Sequence, residues 1–294
     1  MRKSIASSLP DLSVGERLLA HETRFTYGPV PHELDGVAVD EGCHRLSNDA
    51  FLLHTGRGLS YLYRKGEGIT VERVPDSDPC EEALWLNGSV YAAVASINGF
   101  KPIHASAVAH GGKVFAFSGP SGAGKSTLIA ALGAHGFPMF CDDTLVLDLS
   151  ATGDLVCLPG HKRLKLTEEA LALTGTTREE KVGVEIEKFY ARPLAGDFGS
   201  SLPLAALIFL EEGPETILEP LTGAQRFAYL IDDHYTTNFF VQAQTYDRAG
   251  LFDKQSRIAN QIEMARLARP RNVSRFAQSV TLAADYIVSE RFDL

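Results

Sequence analysis

The chain has 294 residues, of which 45% are hydrophobic and 22% charged, and its mean hydropathy is −0.04. This composition supports a sizeable core and excludes a disordered chain. The 37 acidic and 28 basic residues give a net charge of −9, so no overall positive field attracts nucleic acid or anionic lipid. We therefore expect neither a nucleic-acid partner nor a membrane partner.

The N-terminal residues and the cysteines bear on the cellular compartment. The first residues lack the apolar run of an export signal, and the apolar stretch 202–210 is about half of a membrane span. The four cysteines form no C-x-x-C pair and no zinc-ligand spacing; they are Cys43, Cys80, Cys141 and Cys157. We expect free thiols in a cytoplasmic protein.

Residues 1–78 combine short alternating apolar segments with frequent Gly, Pro and Asp turns, a pattern typical of a small β-rich domain. The segment 74–79 contains two prolines and two aspartates and is the best candidate linker. Apolar spacing then predicts a helix over 81–97. Strands are expected at 104–109 and 113–118, joined through Gly111-Gly112.

A helix over about 125–134 and an apolar strand ending at Cys141 follow, and the order strand, helix, strand starts an α/β layer. Farther on we expect a short helix after Thr167, a buried strand at 205–210, and a capping box formed by Thr222 and Gln225 before another helix. From about residue 250 onward the pattern favours helices around one strand.

One motif lies between the strand at 113–118 and the helix at 125–134. Its residues fit G-x-x-x-x-G-K-[ST], the P-loop pattern. Glycines allow backbone N–H groups to surround phosphate oxygens, Lys125 reaches the outer phosphates, and the Ser126 hydroxyl can bind Mg²⁺. The predicted nucleotide-binding residues are Gly119, Pro120, Ser121, Gly122, Ala123, Gly124, Lys125, Ser126 and Thr127.

A pair of aspartates follows the next apolar strand, which we expect to lie beside the P-loop strand. An acid at such a strand end can hold Mg²⁺, and a second acid can accept a proton from an incoming hydroxyl. Because adjacent side chains on a strand point in different directions, the pair favours separate roles. We predict that Asp142 binds Mg²⁺ with Ser126; the alternative is that the pair only begins a turn.

These motifs resemble a known family. The segments His104-Ala105-Ser106, 119–127, His135-Gly136 and Cys141-Asp142-Asp143 are similar to the catalytic core of the HPr kinase/phosphorylase family, with a weaker similarity at 159–164. The resemblance implies ATP- and Mg²⁺-dependent phosphorylation of a serine on a peptide or protein. It also implies that His104, Lys125 and Asp143 are active-site residues, with Asp143 as the general base, and it permits a homo-oligomer.

Within that family the chain is more similar to short stand-alone HPr-kinase-like proteins, since the glycine-rich loop of the bifunctional enzymes is not recognisable. These relatives include kinases that phosphorylate the C-terminal serine of lasso-peptide precursors. We expect an α/β fold with an HPr-kinase-like P-loop domain over 79–294, whose sheet is flanked by helices. The predicted hairpin at 104–118 suggests that this sheet is mixed.

Weaker candidates lie after the aspartates. Lys162, Arg163 and Lys165 could neutralise charge on a transferring phosphoryl group or be a solvated strand end. Arg163 is the best candidate because a guanidinium contacts two phosphate oxygens at once. Lys188 and Arg192 are lesser candidates. The aromatic segment 234–240 could stack an adenine or grip a peptide, but filling the core is the favoured interpretation.

Two other functions compete with a serine kinase. A nucleotide-dependent switch or NTPase module would use the same loop without an acceptor. A GTPase would need an N-K-x-D motif, and the sequence has none. A kinase acting on free serine or another small alcohol would differ only in its acceptor.

Overall fold

The computed structural model describes residues 12–75, 77–150, 154–231 and 248–289. Its helices are α1 Val14–Glu22, α2 Pro79–Trp85, α3 Tyr91–Ile97, α4 Lys125–Ala134, α5 Glu168–Thr174, α6 Ala224–Ile231, α7 Arg248–Gln261 and α8 Val273–Ser289, with a π-helical segment, Leu86–Val90, between α2 and α3. Within these ranges no helix combines the length and apolar character needed to cross a bilayer.

The strands of the N-terminal region are β1 Phe25–Tyr27, β2 Glu33–Leu34, β3 Val37–Ala38, β4 His44–Leu46, β5 Ala50–His54, β6 Leu59–Arg64 and β7 Gly68–Arg73. They form a five-stranded sheet in the order β1-β7-β6-β5-β4 and a separate β2–β3 hairpin. The predicted β-rich character of this region is confirmed.

The remaining strands are β8 Lys101–Ile103, β9 Ala105–His110, β10 Lys113–Ser118, β11 Met139–Cys141, β12 Leu145–Asp148, β13 Val156–Leu158, β14 Leu164–Leu166, β15 Arg178–Gly183, β16 Ile186–Ala191, β17 Leu202–Glu212, β18 Ile217–Pro220 and β19 Glu263–Arg269. Nine of these form one sheet, with the path β11-β9-β10-β17-β13-β12-β8 and with β19 joining β17 to β18. A small sheet in the order β14-β16-β15 stands apart from it.

The large sheet is mixed, as the sequence predicted. Strands β10, β17 and β19 are parallel, whereas β9 is antiparallel to both β10 and β11. Gly111 and Gly112, with φ of +54° and +74°, make the tight β9–β10 turn that the sequence indicated. The expectation that β11 lies beside β10 is wrong, because β9 lies between them.

Strand direction determines which residues meet at one edge of this sheet. Because β11 runs parallel to β10, the carboxyl ends of both strands lie at the same edge, together with the amino end of β9. Ser118 is paired with Ala105 in the register, which places His104 beside the end of β10. The P-loop and the aspartate pair therefore share an edge although β9 separates their strands.

Helices cover both faces of the large sheet. Phe115 and Phe117 of β10 belong to an apolar cluster with residues of α4, α5 and α8. Ala116, between them on the opposite face, belongs to a second cluster with residues of α6 and α7. This alternation is expected of a buried strand whose two faces are both covered.

The predicted helix over 81–97 is helical throughout but is interrupted by the π-helical segment. Asp78 caps α2, since its carboxylate accepts a hydrogen bond from Cys80 N at 2.8 Å. Apolar residues of α3 pack against Tyr61 and Tyr63 of the N-terminal sheet, and the same cluster includes Val146 of β12. This cluster contains residues from both sides of residue 78. The division into two domains at that position stays a prediction.

Three other local expectations have clear outcomes. The short helix after Thr167 is confirmed as α5, and β17 extends the predicted strand at both ends. The capping box is half formed, because Gln225 Oε1 accepts from Thr222 N at 3.3 Å while Gln225 N donates to the Thr222 carbonyl. Two helices around β19 agree with the prediction for the C-terminal residues.

A buried polar contact holds α1 on the N-terminal sheet and gives a stability prediction. The Tyr63 hydroxyl donates to Glu22 Oε2 at 2.6 Å and accepts from Asn98 Nδ2 at 2.7 Å. Because Tyr63→Phe leaves both groups without this partner, we expect the free energy of unfolding to fall by about 1–3 kcal/mol. Urea denaturation measures it. The matched control Tyr27→Phe removes the hydroxyl of an exposed tyrosine, which donates to Glu82; equal losses in the two variants would contradict the prediction.

Candidate functional site

Three glycines give the P-loop its shape. Gly119, Gly122 and Gly124 have φ of +146°, +82° and +86°, conformations that L side chains rarely adopt. A Cβ at position 119 would lie 2.8 Å from the Leu210 carbonyl oxygen, and one at 124 would lie 2.6 Å from Arg269 Nη2. A side chain at any of these positions would strain the loop, and at position 119 it would also collide with the backbone at Leu210.

Lys125 is the first residue of α4, and its side chain turns back into the loop. Its ammonium donates to the carbonyl oxygens of Gly119 at 2.8 Å and Pro120 at 3.1 Å, and the residue is only 6% exposed. The loop therefore places a buried positive charge beside the backbone N–H groups that begin α4. A helix N-terminus with a lysine in this position favours an anion.

Asp142 is fully buried at the end of β11. Its Oδ1 accepts hydrogen bonds from Ser126 Oγ at 2.8 Å and Ser106 Oγ at 2.6 Å, and its Oδ2 accepts from Lys165 N at 3.1 Å. The structure thus brings together Ser126 and Asp142, the two predicted Mg²⁺ ligands. A hydroxyl and a carboxylate oxygen are ligand types that Mg²⁺ prefers.

Asp143 has different neighbours from Asp142. Its Oδ2 lies 2.7 Å from Lys165 Nζ, and its Oδ1 lies 3.6 Å from His104 Nδ1. His104 Nδ1 is also 3.0 Å from the Asp143 carbonyl oxygen. With φ of +75°, Asp143 adopts the left-handed conformation, which is uncommon outside glycine and concentrates at functional sites. The two carboxylates therefore have separate environments.

The charge of Asp143 is set by a competition between burial and cations. Burial raises its pKa, but the positive charge of Lys165 and then that of His104 lower it more, and the net result is a pKa of about 2. Asp143 is therefore ionised at neutral pH. Its side chain is still 28% exposed, so a group arriving from solvent can reach this carboxylate.

His161 contributes to the same region through its backbone. Its carbonyl oxygen accepts from Asp142 N at 3.3 Å, and its ring lies edge-on to Tyr190. Burial, with the nearby charge of Lys165, lowers the pKa of His161 to about 4. The ring is thus neutral at physiological pH and adds no charge to the site.

The other predicted cations lie elsewhere. Arg163 stacks on the Tyr190 ring at 3.8 Å and pairs with Glu179 and Glu180 at 2.9 and 2.6 Å. Arg192, which is exposed, also pairs with Glu179, at 2.7 Å. Lys188 is exposed on β16. Among the described residues, the ion pairs of Asp143 are therefore with Lys165 and His104, and not with these three cations.

Lys165 was one of three weaker candidate cations, and the sequence analysis preferred Arg163 to it. It contacts both aspartates, through its backbone N–H and through its ammonium. The alternation of buried Leu164 and Leu166 around it indicates a strand on which Lys165 faces the other way. That alternation could have distinguished Lys165 from the neighbouring cations.

A cavity of about 750 Å³ adjoins the P-loop. Gly122, Gly124 and Thr127 line one side, and Arg269 and Phe276 line another. Neither aspartate lines this cavity. The aromatic segment 234–240, a candidate for stacking an adenine, gripping a peptide or filling the core, lies outside the described residues.

Comparisons with known proteins give a limited result. No family model and no curated protein match the chain. Among solved structures, the HPr(Ser) kinase/phosphatase from Coxiella burnetii is similar over 65% of this chain and 99% of that chain, with 12% identity and a TM-score of 0.33. Values this low do not carry an activity from that protein to this one, so a functional conclusion depends on the site itself.

The competition at Asp143 gives a direct prediction. In Lys165→Met the strongest opposing charge is lost while burial remains, so we expect the pKa of Asp143 to rise from about 2. The carboxyl ¹³C shift of Asp143, followed by NMR against pH, measures it. The control Lys188→Met removes an exposed lysine and should leave the titration unchanged; an unshifted titration in Lys165→Met would contradict the assigned cause.

Proposed function

We propose that the protein is an ATP- and Mg²⁺-dependent kinase that transfers the γ-phosphoryl group to a serine hydroxyl of a peptide or protein. One observation carries this proposal. The ionised, partly exposed Asp143 lies at the same sheet edge as the P-loop and directly follows Asp142, which is bonded to the P-loop residue Ser126.

The P-loop fits a triphosphate. Its glycines in left-handed conformations turn backbone N–H groups inward, and Lys125 supplies a positive charge inside the turn. The adjacent cavity of about 750 Å³ is within the usual range for a small-molecule site. Phe276 offers an aromatic surface there for a nucleobase. We assign the phosphates to the loop and the nucleoside to this cavity.

The residues present also fit Mg²⁺. Ser126 and Asp142 would hold the ion, because their oxygens lie 2.8 Å apart at the start of α4. When bound, Mg²⁺ would neutralise charge on the phosphates. Asp142 already has three hydrogen-bond donors around it, which fix its orientation before any ion binds.

Asp143 acts on the acceptor. Its carboxylate orients the serine hydroxyl and accepts its proton as the Oγ–P bond forms and the bond to the β-phosphate oxygen breaks, with ADP as the leaving group. A carboxylate with a pKa of about 2 is a weak base. A weak base suffices because phosphoryl transfer depends mainly on positioning and charge stabilisation.

Lys165 and His104 hold Asp143 in place. The ammonium of Lys165 lies 2.7 Å from the carboxylate, so it fixes the base and places a positive charge near the reacting phosphoryl group. Arg163 is already paired with two glutamates. We therefore assign the charge-stabilising role to Lys125 and Lys165 in place of Arg163.

The acceptor is the part of the proposal supported by sequence similarity. The resemblance of 104–143 to HPr-kinase-like proteins implies a serine on a peptide or protein, and the C-terminal serine of a lasso-peptide precursor is the most specific case. A labelled-ATP assay with and without serine peptides, including one that ends in serine, tests it. A switch or NTPase would release inorganic phosphate whatever acceptor is added, and phosphorylation of free serine alone would indicate a small-molecule kinase.

Two substitutions separate binding from transfer. Asp143→Asn keeps the shape but loses the proton acceptor, so we expect transfer to fall about 10²–10⁴-fold while ATP affinity is retained. Lys125→Ala should weaken both. Equilibrium ATP binding and initial rates measure the two effects, with Asp154→Asn at an exposed position as the control. Transfer that survives in Asp143→Asn would remove its assignment as the base.

Ser126→Ala tests the metal assignment. Removing the hydroxyl deletes one proposed Mg²⁺ ligand, so we expect half-maximal transfer to need more Mg²⁺, with the deficit reduced at saturating Mg²⁺. Initial rates across a Mg²⁺ series measure this. Ser47→Ala, which removes a hydroxyl 3.3 Å from Asp49 at the surface, is the control. An unchanged Mg²⁺ requirement in Ser126→Ala would place the ion elsewhere.

A further inference from the structure

The N-terminal region holds a cluster of two histidines and a glutamate that the proposed kinase site does not use. His32, Glu41 and His54 each offer one ligand atom, and these atoms all lie within 4.8 Å of one another. The rings of His32 and His54 stack at a centroid distance of 4.9 Å. His54 is fully buried, whereas the other two are exposed.

The fold brings His32 to this place through the β2–β3 hairpin. Asp35 and Gly36, with φ of +54° and +73°, form its turn, a conformation typical of two-residue hairpin loops. Val39 N donates to the His32 carbonyl oxygen at 2.9 Å and closes the hairpin. Leu34 and Val39 pack against residues of β5, the strand that ends at His54.

Glu41 is fixed over the end of β5 by the backbone. Gly42 N donates to the His54 carbonyl oxygen at 2.9 Å, and Glu41 Oε2 accepts from Gly56 N at 3.0 Å. These bonds hold the carboxylate beside the two imidazole rings. The three side chains come from segments that are separate in the sequence and meet only in the fold.

The hydrogen bonding of His54 distinguishes its two ring nitrogens. His54 Nδ1 lies 2.7 Å from Ser60 Oγ, and Ser60 is directly opposite His54 in the β5–β6 register. His54 Nε2 is buried and has no hydrogen-bond partner among the described residues. A metal-ligating histidine commonly has its other nitrogen fixed by such a partner, which leaves the remaining lone pair for the ion.

We propose that His32, Glu41 and Nε2 of His54 form a binding site for a divalent transition-metal ion of the Zn²⁺ type. Two imidazoles and a carboxylate are a common zinc donor set, with a water molecule as fourth ligand, and imidazoles favour Zn²⁺ over Mg²⁺. Donors around Zn²⁺ lie about 3.3 Å apart when the bonds are about 2.0 Å long. In the structure the three ligand atoms lie within 4.8 Å of one another. Small movements of the exposed side chains of His32 and Glu41 can bring them to the Zn²⁺ spacing while His54 stays fixed.

Such an ion would cross-link the β2–β3 hairpin and the end of β5. The site is independent of the proposed kinase activity, because its residues belong to the N-terminal region and none of them is among the residues assigned to phosphoryl transfer. Its occupancy is therefore measurable without any transfer assay.

Metal titration of the full chain tests the site. After treatment with a chelator and its removal, the protein is titrated with Zn²⁺ by calorimetry and with Co²⁺ by visible absorption, both in excess Mg²⁺ to occupy the Asp142 region. We expect one ion per chain and visible Co²⁺ absorption without a thiolate charge-transfer band, as for tetrahedral nitrogen and oxygen ligands. His32→Ala and Glu41→Gln, both at exposed positions, should weaken binding by more than about tenfold.

Matched controls limit the interpretation. His21→Ala and Glu33→Gln remove an exposed histidine and an exposed glutamate of the same region and should bind Zn²⁺ like the unmodified chain. Thermal melts without metal check that every variant is folded. The proposal would be overturned if no stoichiometric binding is found, or if His32→Ala and Glu41→Gln bind Zn²⁺ as tightly as the unmodified chain. A loss of binding that occurs only in Cys43→Ser would also overturn it.

Discussion

The candidate site depends on the buried carboxylate of Asp142. A carboxylate removed from water is costly unless donors surround it, and this one has three, from β9, from α4 and from the backbone of β14. These bonds fix the P-loop helix, the neighbouring strand and the small sheet around one point. Because the donor on β14 is Lys165, the same interaction also places the ammonium that holds Asp143.

The adjacent aspartates show how the surroundings give two identical side chains different properties. Asp142 is fully buried and bonded to two hydroxyls and an amide, whereas Asp143 is partly exposed and lies between Lys165 and His104. The positive φ of Asp143 separates the directions of the two carboxylates. One is thereby suited to a cation beside the P-loop and the other to a group arriving from solvent.

The N-terminal sheet also supports this site. Val90 of the π-helical segment belongs to the apolar cluster of that sheet, and a Cβ at Gly88 in the same segment would lie 3.5 Å from Asp143 Oδ2. A π-helical turn is rare and often found at functional sites. The region before residue 78 thus helps to position the helix that borders Asp143, in addition to carrying the histidine–glutamate cluster.

Local features of the sequence determined the α/β class with its mixed sheet, the hairpin at Gly111-Gly112, the limits of α4 and the P-loop, because glycine conformations and apolar periodicity act over a few residues. Long-range pairing decided the rest. Strand β11 pairs with β9 and not with β10, Lys165 contacts both aspartates, Arg163 pairs with glutamates, and His32 meets His54. Each of these contacts depends on segments far apart in the chain. No short-range pattern specifies which strands become neighbours, since that choice depends on how all the apolar faces are buried together.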